Sequence, residues 1–437
     1  MPSPRTTPIR AIARRPAPLA GLLALGLLLG AASGCGGSTH STSDPVRHAA
    51  TVAAGTGTTA SVAVGPPIGV ASAFSGGART VGEFARRGAG AGELTEPFGI
   101  AVDHRSGDVY VVDTNDNRVE KFTSAGRFLL AWGWGVADGR TRAPQTCTKR
   151  CFAGIQGEGP GQLHFAEGAA VDNNPTSRSR GDVYVVDIEN RRVDKFSPGG
   201  RFLLMFGGGV NRTAGARHDR VNEDVCPVKR GDVCGEGTEG PSGGQLEFAT
   251  EGSFIAVGSG GTIYLGQRNS VKTFTPSGGY RSRVELRPPA PGVGREPGGV
   301  SALAVDGSGD MYVERHGIVG VNEYSPSGQL IRTLEPGGVP AYDEGPAPTL
   351  ALDPAGNLFV DVYAFERHRI DEYSASGVRI ASFDKGPPNL PGGIVDREDG
   401  LPGMAYNPRT RLLYVVNADV NVKPIVSRVR MIAPPRP

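Results

Sequence analysis

The chain has 437 residues, enough to bury a large core, but its 66 Gly and 35 Pro are too many for a helical protein and point to short strands joined by tight turns. Lys plus Arg number 46 against 44 Asp plus Glu. No basic stripe with interleaved aromatic residues runs along the chain, which argues against a nucleic-acid partner.

Residues 1–34 read as an export signal. Arg5, Arg10, Arg14 and Arg15 make a positive start, and residues 19–32 form an uncharged apolar run of 14 residues, too short to span a bilayer. The run ends in Ala32-Ser33-Gly34-Cys35, which looks like a bacterial lipobox, in which Cys35 becomes the lipidated first residue of the mature protein. An ordinary signal peptide with a chance cysteine is the alternative. Several acyl chains on one residue anchor stably where one is marginal, so the expected location is the extracytoplasmic face of a bacterial cell membrane, held by lipid alone. Cys35 and residues 36–73 follow as a tether rich in Gly, Ser, Thr, Ala and Val, with no aromatic residue and no periodic pattern with which to bury a core.

Residues 74–437 form the folded part, and residues 97–133 set its plan. Four short apolar runs, 99–103, 108–113, 118–123 and 128–132, are separated by turn residues and predict a four-stranded antiparallel meander. Residues 168–207 repeat this wording closely, and fainter copies follow. Second-strand aromatic anchors at Tyr110, Tyr184, Tyr264, Tyr312, Phe359 and Tyr414 count six units. A repeated four-stranded unit predicts a six-bladed β-propeller. The chain enters this array in mid-repeat, because residues 74–79 match 196–201 and residues 80–84 therefore read as a fourth strand without its first three. Residues 404–407, 412–417 and 427–432 supply those three at the other end. Joining the fragments closes the ring and removes an exposed edge.

The order G-I-A-V-D, G-D-V-Y-V-V-D, N-x-R-V-x-K-F and G-x-F-L-x-x-F-G resembles the NHL-repeat family of six-bladed propellers, in a bacterial lipoprotein form. That resemblance implies a binding platform for proteins, peptides or RNA, with a few lyase- and lactonase-like relatives. The Asn117-Arg118 pair of the repeat becomes Arg191-Arg192 in blade two and Asn269-Ser270 in blade three, so no role of that pair carries around the ring.

Two insertions, 134–162 and 208–245, join the last strand of one blade to the first of the next, which puts both on the face that holds the loops between strands two and three. Cys147 and Cys151 lie in one, Cys226 and Cys234 in the other. Local pairs in an exported chain favour disulfides, each contributing about 2 kcal/mol on the loop-entropy model. A four-thiolate zinc site lacks its tight CxxC spacings, and free thiols are the remaining option.

Catalytic signals are weak, and neither a catalytic residue nor a cofactor or metal ligand is assigned. His164, His316 and His368 fall in connections on the insertion face, where a histidine is usually just solvated. Asp113, Asp116 and Asp187 could suggest calcium, but acids at β-turns normally satisfy their own backbone. Glu96, Glu167, Glu251, Glu296, Glu344 and Glu398 each precede an inner strand. They read either as ordinary acidic loops or as a negative funnel for a cation or basic peptide.

Two functional classes stay open. One is a surface-anchored binding module for an extracytoplasmic protein, peptide or glycan, using the rim of blades one to three. Its expected contacts are Trp134, Phe152 and His164, with Glu96, Glu167 and Glu251 attracting positive groups. The other is an extracytoplasmic metal-dependent lyase or lactonase-like enzyme with its site at the axis. The insertions could also merely shield the blade tops.

Overall fold

The computed structural model describes residues 79–435 apart from 220–221, 228, 230, 249–253, 288–298, 316–319, 335–348, 365–366, 385–402 and 420–425. Six antiparallel sheets follow one another in chain order, an all-β six-bladed propeller. The inner strands are Pro97–Val102, Ala166–Val171, Ile255–Val257, Val300–Val305, Leu350–Leu352 and Met404–Asn407. The last blade is composite. From inside outward it runs Met404–Asn407, Leu412–Asp419, Val426–Ala433 and then Arg79–Phe84, with Arg79 opposite Ala433 and Phe84 opposite Val429.

The repeated words are contacts between blades. The second-strand tyrosine reaches the outer hairpin of the next blade: Tyr110 hydroxyl to the Pro198 carbonyl at 3.5 Å, and Tyr184 to Pro276 at 3.1 Å. Tyr414 of blade six makes the same reach to Ser124 of blade one at 2.6 Å, across the junction where the ring shuts. Lys121 and Lys195 lie over the rings of Tyr110 and Tyr184 at 5.2 and 5.3 Å. In the same hairpins Gly126, Gly200 and Gly278 have φ near +80°, and a Cβ there would come within 2.8 Å of Phe84, Trp132 and Phe206, the fourth-strand aromatics of the preceding blades. Only glycine takes that backbone and leaves room for the ring. The core is therefore laid between neighbouring sheets, as where Tyr184, Val186 and Phe206 of blade two pack against Ile263, Leu265 and Phe274 of blade three.

Blades one and two have five strands rather than the expected four. Pro144–Cys147 adds outside Phe128–Trp134, and Val225–Cys226 outside Phe202–Phe206. Both extra strands come from the insertions. Short segments such as Pro-Gln-Thr-Cys carry no alternation that would announce a strand, and the neighbouring edge recruits them.

The turn between strands two and three needs a left-handed residue, and Asn117 and Arg191 supply it with φ of +47° and +48°. Asn takes this conformation at lower cost than Arg. Arg191 gains only exposed ion pairs with Glu236 and Glu239 at 3.7 and 3.9 Å. Arg191→Asn is therefore expected to stabilise the domain by about 0.5 kcal/mol, seen as a higher urea midpoint at unchanged slope; a lower midpoint would show that the ion pairs outweigh the backbone.

Candidate functional site

Each insertion is closed by a disulfide, Cys147–Cys151 and Cys226–Cys234, with Cα separations of 5.6 and 5.8 Å. The first insertion folds back over its own blade. Phe152 N–H donates to the Val136 carbonyl (2.9 Å), Gly154 N–H to Asp116 (2.6 Å) and Ile155 N–H to Trp134 (2.8 Å). The second does the same on blade two, where Gly237 N–H donates to Asn190 at 2.8 Å. Arg212 of one reaches Glu158 of the other at 2.7 Å, so the two loops form one continuous surface.

Beneath that surface lies a device not foreseen from the sequence. Arg118 and Arg192, at the heads of the third strands, have no solvent exposure. Arg192 pairs with Asp187 (3.2 Å) and Asp194 (2.9 Å), and its remaining N–H groups point at the carbonyls of Glu158, Gly159, Gln162 and Gly235. Arg118 pairs with Asp113 (2.8 Å) and Glu120 (3.1 Å) and donates to the carbonyls of Ala89, Gly90, Glu93 and Phe152. Apart from Phe152 and Gly235, which lie in the insertions, the carbonyls belong to a recurring Gly-rich loop that feeds the inner strand: residues 88–94, 157–163 and 240–246. In each loop the first glycine donates to, or bridges beside, the closing leucine, and the Glu or Gln before that leucine folds back onto a backbone N–H. Blade three swaps the partners: Ser270 replaces the arginine, and Lys272, two residues on, reaches the carbonyls of Gly240 and Gln245. The arginine role thus survives in blade two despite the altered dipeptide, and its charge moves by two positions in blade three.

Burial works against the Arg118 charge, but Asp113, Glu120 and Asp116 outweigh it and hold the guanidinium above its ordinary value. Burial pushes Asp187 up and Asp194 well up, with Arg192 pulling both back. In blade three burial, then Arg283, push Lys272 down to about 8. Asp113 and Asp187 are thus not turn residues serving their own backbone: each holds an arginine and also accepts from the N–H of Thr95 or His164.

The expected contact residues divide. Phe152 is 46% exposed in the first insertion. Trp134 is half-buried, its indole N–H donates to the Pro160 carbonyl at 3.0 Å, and its ring covers Gly159, so it packs the loop feeding blade two. His164 is half-buried and tied by its backbone to Asp187 at 2.8 Å. Glu96 sits where blades one and six meet, with its N–H on Ser427 Oγ at 3.3 Å and its carboxylate held by Asn115. Glu167 contradicts its expected place on the rim: it is fully buried at the head of an inner strand, with its carbonyl against Gly99 of the neighbouring blade. His368 lies in the strand Arg367–Tyr373, not in a connection. Cys35, Glu251, Glu296, Glu344, Glu398 and His316 lie outside the described residues. Among the described residues no three His, Cys, Asp or Glu come together as a metal-ligand set.

Blades four and five hold a second departure from the repeat. The position two after the second-strand aromatic is Val112, Val186 and Val416 in blades one, two and six, but Glu314 and Asp361 in blades four and five. Both acids are buried near the upper ends of their strands, together with Arg315, Ser301 and Thr349. Among the described residues Oε2 of Glu314 has no hydrogen-bond partner, and burial pushes this carboxyl up to about 8. The broken Val pattern was the signal for these residues.

This fold, with cation-clasped loops and disulfide-closed insertions, is a six-bladed β-propeller. Residues 94–122 match the family model of the NHL repeat. No curated protein matches by sequence. Solved structures with the same fold include virginiamycin B lyase from Staphylococcus aureus, 11% identical, TM-score 0.42, covering 79% of this chain and 97% of that one. A gluconolactonase from Xanthomonas campestris is 13% identical, TM-score 0.42, covering 82% and 99%. The nidogen/laminin complex matches at 13% identity, TM-score 0.39, covering 71% and 85%.

Proposed function

We propose that the protein is a lipid-anchored binding module of the bacterial cell surface, exported by residues 1–34, held at Cys35 and spaced by residues 36–73. Its working face is the rim built by the two insertions. The observation that carries this reading is the investment in order on that rim: two disulfides, two added strands and the buried arginine clasps all fix loops that a bare propeller does not need. Ordered loops bind with little further loss of entropy. The ligand is an extracytoplasmic protein, peptide or glycan, met on the rim of blades one to three.

The test is a cross-linked pull-down from intact cells with the wild type and with each insertion cut to a four-residue turn. The shortened chains are expected to stay folded and to lose the partner, and Cys35→Ala is expected to move the protein out of the membrane fraction. A partner retained without either loop would put the site elsewhere. A second reading, a lyase- or lactonase-like enzyme at the axis, draws support from Glu314, a buried carboxyl oxygen without a partner. Metal analysis of the purified chain, with and without Glu314→Gln, separates the two.

A further inference from the structure

We infer that the first insertion docks on anionic lipid headgroups and so sets which way the propeller faces on the membrane. The inference rests on the reading of the chain as membrane-tethered and goes beyond it.

Residues 135–152 carry four cations, Arg140, Arg142, Lys149 and Arg150, against a single acid, Asp138, in a chain whose net charge is only +2. All four cations are exposed, and among the described residues none has an ion-pair partner. Asp138 is turned inward on its own loop, accepting the N–H groups of Arg140 (3.0 Å) and Thr141 (2.9 Å). Phe152 stands among these charges: a Cβ on Gly139, the residue before Arg140, would lie 3.4 Å from its ring, and Arg150 is two residues away. The adjoining insertion is different, because its exposed acids Glu236 and Glu239 face Arg191. The basic character therefore belongs to one loop and is not a property of the whole rim.

A half-exposed aromatic ring shares this disulfide-closed loop with four exposed cations that have no ion-pair partner among the described residues. Its complement is a broad negative surface into which the ring can dip while the cations stay at headgroup level. Each cation so placed gives roughly a five-fold gain in occupancy. A tether of 38 residues, 36–73, has an r.m.s. reach of about 35 Å. The bilayer is then always close, and weak contacts suffice to orient the domain.

The test uses the full chain with vesicles of phosphatidylcholine alone or of phosphatidylcholine and phosphatidylglycerol in equal parts, timing tryptic cleavage after Lys149 and Arg150. This readout is local to the loop and does not depend on how the N-terminus attaches. Cleavage is expected to slow about ten-fold on the anionic vesicles, to recover at high salt, and to recover in Arg140→Gln/Arg142→Gln/Phe152→Ser. Equal rates on both vesicles overturn the inference. So does protection by soluble polyglutamate with none from anionic vesicles, which would make the occupant an acidic protein. If lipid protection fails while loop-shortened chains still lose their cell-surface partner, the binding-module reading stands and only this inference falls.

Discussion

Arg192→Met is expected to cost about 3–5 kcal/mol of stability, the cost of removing one partner from a buried ion pair. Methionine fills most of the volume, so the loss reports charge rather than a cavity. Without the guanidinium, Asp187 and Asp194 remain in a site with no access to water, and the carbonyls of Glu158, Gly159, Gln162 and Gly235 lose their donor. Urea unfolding measures the cost, and hydrogen exchange at residues 157–163 is expected to rise because the loop has lost its clasp. Changing all three residues together, Arg192→Met with Asp187→Leu and Asp194→Leu, is expected to recover much of the loss, since an apolar cluster of similar volume replaces a buried ion set at little cost. A single substitution that costs under about 1 kcal/mol would show that water reaches the site.

Glu314→Val is expected to make the protein more stable at pH 8 than the wild type and to flatten its pH dependence. Burial raises this carboxyl from 4.5 to about 8, with Arg315 pulling it partly back. Between those values the folded chain keeps a proton that the unfolded chain has released, so stability falls as pH rises and the fall ends above about 8. The share due to Glu314 is on the order of 5 kcal/mol across that window. Asp113 at about 8, Glu120 at about 9 and Glu372 at about 7 slope the same way, each raised first by burial. The readout is therefore the difference between the two proteins, measured by denaturant unfolding from pH 5 to 9. Valine is the residue that three other blades use at this position, so the site has a ready apolar solution. Parallel pH curves for wild type and variant would mean that Glu314 has found a partner in solution.

The architecture was legible because the chain states its unit twice in nearly the same words, and period-2 alternation between turn residues leaves little choice of register. Tyr110, Tyr184 and Tyr414 counted the blades correctly because each is a latch to the next blade, not just an apolar residue. The fifth strands were hidden because an edge, not the local sequence, makes them. The arginine clasps were hidden because Arg118 and Arg192 read as surface residues of polar turns, and only the return of a distant Gly-rich loop buries them. Glu167 misled for a related reason: a carboxylate just before an inner strand reads as part of a solvent-facing mouth, yet the head of that strand is pressed against blade one.

The composite last blade has a mechanical meaning. Any pull transmitted from residues before Arg79 arrives at the end of the outermost strand, where Arg79 lies opposite Ala433. Force applied at that end of an antiparallel pair opens its rungs one after another instead of shearing them together. The strand has a register irregularity between Thr80 and Gly82 that weakens the first rungs, before Phe84 and its contacts with Phe122 and Tyr414 take the strain. Under such a pull the domain would therefore give way first at the seam of the ring, while blades one and two, with their disulfide-closed insertions, kept their shape.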